Sequence, residues 1–254
     1  MRIFVAEWMK TRHTILHRLV LLIPLFCSLA VLGYAAYRKN SFSLAFFYQG
    51  FFLIWSAVLL PLGVGILTGI LVHEEEEAGN FYGLLQCSRK RSSLYLGKFS
   101  AALVFLTGST FLTTLIISTG LCFLLQKERG VGLFLTAACL AVCGVLPVLA
   151  VHLWISFAFG MGASVGVGIC GLLLAVLLGS TSLGDHIWYA VPWTYPVKMA
   201  MFPMAFSMFP ENMRTEAEKP FVLAFALSLV LSVLILAGSM LWFEKWEDEV
   251  ETVE

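Results

Sequence analysis

The chain has 254 residues, of which 59% are hydrophobic and 13% charged, and its mean hydropathy is +0.89. Soluble globular domains carry roughly 25% charged residues, so this composition excludes an ordinary soluble domain and indicates an all-α integral membrane protein. Lys and Arg total 16 and Asp and Glu total 16, which gives a formal net charge of zero. The chain therefore lacks the basic surface that binding to nucleic acid requires.

The first 17 residues, MRIFVAEWMKTRHTILH, alternate charged side chains with bulky apolar ones. This pattern predicts a helix that lies in the membrane interface, with an aromatic ring at headgroup depth and basic groups near lipid phosphate. A frayed charged tail is the alternative interpretation. The residues that define the predicted interfacial helix are Glu7, Trp8, Lys10 and Arg12.

Six apolar segments are long enough to be transmembrane helices, because about twenty helical residues cross the roughly 30 Å hydrocarbon layer. They are residues 19–37, 50–72, 99–125, 131–158, 161–183 and 221–243. The first could also be a signal peptide, but it is longer than a usual signal sequence and further spans follow it. Residues 131–183 contain no Asp, Glu, Lys or Arg and are too many for one helix, so we predict a break at FGMG, residues 159–162.

Several residues inside these spans have a predicted role. Pro61 removes a backbone hydrogen bond and is expected to kink its helix inside the bundle. Gly162 and Gly166 have the spacing of closely packed helices, either at an interface between subunits or within the bundle. The hydroxyl groups of span 99–125 are expected to bond mostly to their own helix. His152 is the one ionisable residue at a predicted span centre, either as a proton site or bonded to a backbone carbonyl.

Residues 184–220 form a long segment that is too apolar and aromatic for a free loop. Four prolines divide it into pieces that are too short to span. We predict re-entrant or interfacial helices here, with Trp188, Trp193 and Tyr195 in the aromatic belt of the membrane. The tail, EKWEDEVETVE, is acidic and is expected to be solvated.

One polar island, residues 73–98 (HEEEEAGNFYGLLQCSRKRSSLYLGK), lies between the second and third spans. Phe81, Leu84 and Leu85 follow an i, i+3, i+4 spacing, which places them on one face of a helical turn. An apolar face between runs of charge predicts a docking surface for a partner protein. The alternative is that the charges end the helix and anchor its orientation while the apolar patch lies among lipid headgroups. The candidate contact residues are Glu74, Glu75, Glu76, Glu77, Gly79, Asn80, Phe81, Leu84 and Leu85.

With six spans both termini lie on one side of the membrane, and basic residues near the first helices indicate which side that is. The terminal side would hold Arg2, Lys10, Arg12, Arg18, Arg89, Lys90, Arg91 and Lys98. The other side would hold Arg38, Lys39, Lys127, Arg129, Lys198, Arg214 and Lys219. Because short early loops dominate this rule, both termini and the island are predicted to be cytoplasmic.

Motifs for catalysis are missing from the sequence. The Gly97-Lys98 pair precedes Phe99 and lacks the upstream glycine of a P-loop, and His73-Glu74 lacks the second histidine of a zinc protease motif. None of the six cysteines forms a C-x-x-C pair. We therefore predict no enzyme activity, no cofactor and no metal on this chain, and any energy for transport has to come from another chain.

The interfacial helix, the six spans, the acidic island and the proline-aromatic segment together resemble ABC-2 type transporter permeases. The stretches AEWMKTRHT (residues 6–14), LLIP (21–24) and EEEEAGNFYGLL (74–85) resemble, more narrowly, the lantibiotic-immunity permeases of the nisin, subtilin and mutacin systems. This resemblance implies one transmembrane domain over residues 1–254 of a bacterial plasma-membrane protein.

The same resemblance implies the partners and the activity. The chain would pair with a second, related permease and with two copies of an ATP-binding subunit that holds ATP and Mg²⁺. The island, residues 73–98, would contain the cytoplasmic coupling helix seated on that ATPase. The complex would expel a lantibiotic from the membrane and protect its producer. Two alternatives stay open, namely an ABC-2 permease for another amphiphile, such as a drug, a lipid or another peptide antibiotic, and a non-transporting membrane anchor or sensor.

Overall fold

The computed structural model describes residues 15–38, 42–79, 81, 90–125, 130–208, 210 and 214–246, except the side chains of residues 15 and 215–217. Most of these residues are helical, and none of them is in a strand. The helices are α1 (Ile15–Tyr37), α2 (Leu44–Ile54), α3 (Leu60–Glu77), α4 (Arg91–Leu125), α5 (Gly130–Leu174), α6 (Tyr195–Met208) and α7 (Arg214–Lys245). Two π-helical segments, Trp55–Leu59 and Ala175–Gly179, follow α2 and α5, and 3₁₀ turns at Ser182–Gly184, Trp188–Ala190 and Pro192–Thr194 precede α6.

Five continuous helical stretches in the described part of the chain are long and apolar enough to cross a membrane. They are Leu16–Tyr37, Leu44–Glu77, Arg91–Leu125, Gly130–Gly179 and Glu218–Lys245. This confirms a multi-pass membrane protein. Two helices continue well past the predicted span ends, because α3 runs to Glu77 and α4 begins at Arg91. Both flanks of the polar island are therefore helical. Residues 1–14 of the predicted interfacial helix lie outside the described residues, and residues 15–17 begin α1.

Helix α5 is a hairpin rather than one straight rod. Gly160 has φ 80° and ψ 178°, a conformation that is essentially restricted to glycine. The Nδ1 atom of His152 lies 3.1 Å from Oγ of Ser164, although residues twelve apart in a straight helix are about 18 Å apart. Residues 130–159 and 161–174 therefore pack side by side, and the break that the sequence predicts at residues 159–162 is present.

The predicted irregularity at Pro61 takes the form of a π-helical segment. Leu60 N–H donates to the carbonyl of Trp55, five residues back instead of four. Because Pro61 has no N–H to donate to Ala57, the wider turn just before it adapts the helix to the missing bond. The indole Nε1 of Trp55 donates to Oγ1 of Thr110 in α4 at 3.2 Å, so the irregular turn is fixed inside the bundle.

Most hydroxyl groups of α4 that we predicted to bond within their own helix do so. Ser109, Thr113, Ser118 and Thr119 each donate to a carbonyl three or four residues back. Such bonds satisfy the hydroxyl without a partner helix. Thr110, which accepts from Trp55, links two helices instead.

Helix α6 is packed into the bundle. Tyr195 is fully buried, and its hydroxyl donates to the carbonyl of Tyr189 at 2.5 Å. The hydroxyl of Tyr48 in α2 donates to the carbonyl of Ala200 in α6 at 2.7 Å. Tyr195 is thus a core residue, which differs from its expected place in an aromatic belt, whereas Trp188 is half-buried.

The bundle has two ends, which we call the island end and the opposite end. The island end carries the end of α3 and the start of α4. There Arg91 Nη1 donates to the carbonyl of Glu244 at 3.2 Å, and the rings of Tyr95 and Phe243 lie 5.4 Å apart. The hairpin turn at Gly160 also lies at the island end, because Phe157 packs against Tyr95 and Phe243. The opposite end carries the connection between α1 and α2 and helix α6.

Candidate functional site

The last turn of α3 places four carboxyl groups where a helix least favours them. A helix C-terminus carries a partial negative charge, so glutamates there are destabilising unless cations compensate them. Glu77 ends α3, Ala78 follows as its C-terminal cap, and Gly79 has a φ of 140° that side chains rarely adopt. The chain therefore turns away from the helix immediately after the glutamates.

The negative charge of Glu75 is compensated by a buried lysine of the next helix, α4. Nζ of Lys98 donates to Oε1 of Glu75 at 2.9 Å and to the carbonyl of Leu71 at 3.1 Å. The side chain of Lys98 is 2% exposed and that of Glu75 is 11% exposed. This ion pair joins the last turns of α3 to the second turn of α4. Glu75, expected from the sequence to face a partner, faces Lys98 inside the chain.

Glu76 and Glu77 remain on the surface of the island end. Nδ1 of His73 lies 3.2 Å from Oε2 of Glu76, and its Nε2 lies 3.3 Å from Oε1 of Glu77. The glutamate side chains are 50% and 72% exposed. They form an acidic surface that a cationic partner could reach.

Phe81 packs against its own chain. Its centroid lies 5.0 Å from that of Trp246, which follows α7, and 6.3 Å from that of Phe157 in α5. Its φ of 65° places it outside a right-handed helix. The half-buried ring of Phe81 thus belongs to an aromatic cluster at the island end and is only partly available to a partner. The other rings of this cluster are Tyr95, Phe157, Phe243 and Trp246. Asn80, Leu84 and Leu85 lie outside the described residues, so the helical face predicted for Phe81, Leu84 and Leu85 is not described either.

A buried polar cluster links α3 to both arms of the α5 hairpin. Thr68 Oγ1 lies 3.2 Å from Ser164 Oγ and 3.1 Å from Ser156 Oγ, and Ser164 in turn bonds His152. His152 is fully buried and bonds a side-chain hydroxyl, not the backbone carbonyl that we considered from the sequence. Because each hydroxyl serves as the partner of another, the cluster fixes the register of the three helical segments.

We expect Thr68→Val to disturb this cluster with little change of volume. Valine keeps the shape of the side chain but removes the hydroxyl that bonds Ser156 and Ser164, and each lost hydrogen bond costs about 0.5–1.5 kcal/mol. The thermal unfolding midpoint of the purified chain should therefore fall, whereas Thr119→Val, on an exposed side chain bonded within α4, should leave it nearly unchanged. Equal midpoints for the two variants would contradict a linking role.

Close helix packing uses other glycines than Gly162 and Gly166. Both of these are exposed, and an added Cβ at either would meet nothing within 4 Å. At Gly65 an added Cβ would lie 2.7 Å from the carbonyl oxygen of Ser164, so α3 touches the backbone of α5 there. Packing within this chain therefore does not explain Gly162 and Gly166, and an interface with another subunit stays a prediction.

Sequence reasoning missed Lys98 as a structural residue of the site. We counted it as one of the basic residues that set membrane orientation. Its position seven residues inside α4, next to apolar neighbours, is the signal that could have indicated a buried partner, because a lysine there needs a carboxylate or carbonyl.

These features define a multi-pass helical membrane protein in which Glu75 at the charged end of α3 pairs with Lys98 of α4 and Phe81 packs on Trp246 after α7. A family model described as ABC-2 family transporter protein matches residues 3–173, which is more than half of the chain. The chain belongs to this family of transporter permeases. Family membership makes it a membrane subunit for transport that is not itself catalytic, and it implies an ATP-binding partner subunit. No curated protein and no solved structure matches the chain.

Proposed function

We propose that the chain is a permease subunit of an ATP-driven ABC exporter that expels a lantibiotic or a similar amphipathic antimicrobial peptide from the membrane. Such export would give its producer self-immunity. The chain would work in the bacterial plasma membrane with a second, related permease and two ATP-binding subunits, which hold ATP and Mg²⁺. Membership of the transporter family supports the transport role, and the motif resemblance at residues 6–14, 21–24 and 74–85 supports the peptide substrate.

The proposal includes six membrane crossings with cytoplasmic termini. A helix of 50 residues would be about 75 Å long, more than twice the hydrocarbon thickness, so the α5 hairpin would supply two crossings. With six crossings, the island end, the Gly160 turn and the end of α7 all lie on one side, and their mutual contacts support this arrangement. That side would be the cytoplasm.

The observation that carries the proposed mechanism is the Lys98–Glu75 ion pair beside an exposed acidic surface. The ion pair ties the island to two long helices, α3 and α4, while Glu76 and Glu77 stay accessible. A push on the island by an ATPase would therefore move both helices instead of bending a loose connection. The exposed Gly162 and Gly166 would face the second permease, and the exposed Glu76 and Glu77 would face the ATPase.

We expect the double variant Glu76→Lys/Glu77→Lys to weaken binding of the ATP-binding subunit by about tenfold or more, because reversing charges at an interface replaces attraction by repulsion. The measurement is co-purification of the two subunits from membranes at several salt concentrations. Glu218→Lys is the matched control, since Glu218 is an exposed glutamate at the start of α7, at the opposite end of the bundle. Undiminished co-purification of the double variant would reject this contact.

An export assay tests the proposed identity of the substrate. Cells that express the complete operon should release the lantibiotic in an ATP-dependent manner and survive it, and cells that lack only this subunit should do neither. Survival with export of an unrelated amphiphile would favour the broader permease function. Binding of a cytoplasmic protein without any export would favour an anchor or sensor. Genes for lantibiotic synthesis beside this gene would support the proposed substrate.

A further inference from the structure

A cavity opens at the opposite end of the bundle, far from the island. Its volume is about 490 Å³, and it lies between α2, the segment after α5, and α6. Apolar side chains form most of the wall, and three polar side chains, one of them a cation, interrupt it. The residues on which the argument depends are Phe46, Gln49, Gly50 and Leu53 of α2, and Lys198 and Met201 of α6.

The cation of the cavity, Lys198, forms only a weak ion pair with an acidic residue. Lys198 Nζ lies 3.9 Å from Oδ1 of Asp185, and the two side chains are 30% and 59% exposed. An exposed ion pair at this distance contributes little to stability, so Lys198 can give up Asp185 for another anion. Nζ also lies 6.0 Å from the centre of the Trp188 ring. Lys198 belongs to the first turn of α6, where the helix dipole adds positive potential rather than cancelling it.

The apolar wall continues from this cation along α2 toward the middle of the membrane. Leu53 and Ile54 are 37% and 56% exposed, and both belong to a stretch that is apolar enough to span. Leu53 lies one helical turn beyond Gln49, on the same side of α2, so polar and apolar parts of the wall follow each other along one face. This order matches a molecule with an anionic head and an apolar tail.

We propose that this cavity binds a phospholipid with an anionic headgroup, whose phosphate contacts the Lys198 ammonium group. The side-chain amide of Gln49 lies on the same wall and donates to the headgroup, and an acyl chain follows Leu53 and Ile54. A lipid fits better than free phosphate, because most of the cavity wall is apolar and offers a free anion only one cation. This site is separate from the island and does not depend on what the transporter exports.

The test uses the full-length chain, purified in a mild detergent and supplied with phosphatidylglycerol or phosphatidylcholine. Native mass spectrometry then counts the lipids that stay bound. We expect preferential retention of phosphatidylglycerol, and Lys198→Gln should lower its affinity about tenfold, the effect of losing one charge-assisted hydrogen bond. Lys198→Arg should keep most of the binding, because it preserves the charge.

A second variant tests the cavity without changing charge. Gly50 lines it, and an added Cβ at Gly50 would meet nothing within 4 Å, so Gly50→Leu should place its side chain in the cavity and reduce retention. Lys219→Gln, which changes an exposed cation in α7, is the control and should bind as the unaltered chain does. The proposal is overturned by equal retention of the two lipids, by full binding in both cavity variants, by equal loss in the Lys219→Gln control, or by complete displacement with inorganic phosphate.

Discussion

Lys98→Met is expected to destabilise the chain by about 3 kcal/mol, near the lower end of the range for breaking a buried ion pair. The variant removes the cation that lies 2.9 Å from Glu75, a carboxylate that is only 11% exposed. Methionine matches the lysine stem in length, so packing is kept and the loss is electrostatic. The thermal unfolding midpoint in detergent should fall by about 6 °C or more.

A double-mutant cycle separates this loss from a packing defect. In Glu75→Met/Lys98→Met both charges are replaced by apolar groups of similar volume, which is often close to neutral for stability, so the double variant should regain most of the loss. Glu77→Gln, at a side chain that is 72% exposed, should stay within about 0.5 kcal/mol of the unaltered chain. If the double variant were as unstable as the sum of the two single variants, the two side chains would be energetically independent.

The Lys98–Glu75 ion pair is also expected to affect the coupling of ATP hydrolysis to export. Under the proposed mechanism, the Lys98→Met variant keeps the contact of Glu76 and Glu77 with the ATPase but loses the link between α4 and α3, so it should transmit the motion of the ATPase less well. Substrate export per ATP hydrolysed should fall more than ATPase binding does. A larger loss of export than of ATPase binding would distinguish a residue that positions the island from one that contacts the partner.

The presence of several long apolar helices could be predicted from the sequence, because the bilayer sets their minimum length and excludes charge. The same reasoning located the turn of α5, since Gly160 and Gly162 interrupt an apolar run that is too long for one crossing. Helix ends were less predictable. Charged residues at Glu74 to Glu77 and at Arg91 are typical of a loop between spans, but they continue α3 and α4, where Lys98 pairs with Glu75 and the carbonyl of Glu244 accepts from Arg91.

The partners across the bundle could not be predicted from the sequence. Lys98 and Glu75 are 23 residues apart on either side of the island, and their contact depends on how α3 and α4 pack. Phe81 has a helical spacing with Leu84 and Leu85, but its ring packs on Trp246, far along the chain. Glycine spacing likewise cannot reveal which glycine faces a neighbour.

Substitution of Gly144 is expected to cause the second large loss of stability, because Gly144 lies where the backbones of α5 and α6 touch. A Cβ added there would be 2.7 Å from the nitrogen of Pro196, 2.8 Å from its Cα and 2.9 Å from the carbonyl carbon of Tyr195. Backbone atoms cannot rotate away as a side chain can. Pro196 suits this contact because it has no N–H that burial would leave without an acceptor.

Gly144→Ala is therefore expected to separate α6 from α5 and to destabilise the chain by about 1–3 kcal/mol, the usual cost of overpacking. Gly132→Ala in the same helix is the matched control, because an added Cβ there meets nothing within 4 Å. Alanine favours a helix over glycine by up to about 1 kcal/mol, so the control should raise the thermal unfolding midpoint while Gly144→Ala lowers it. A shift of the same sign in both variants would show that the contact between Gly144 and Pro196 does not limit stability. Since α6 carries Lys198, the displaced helix in Gly144→Ala should also retain less phosphatidylglycerol, whereas Gly132→Ala should retain as much as the unaltered chain.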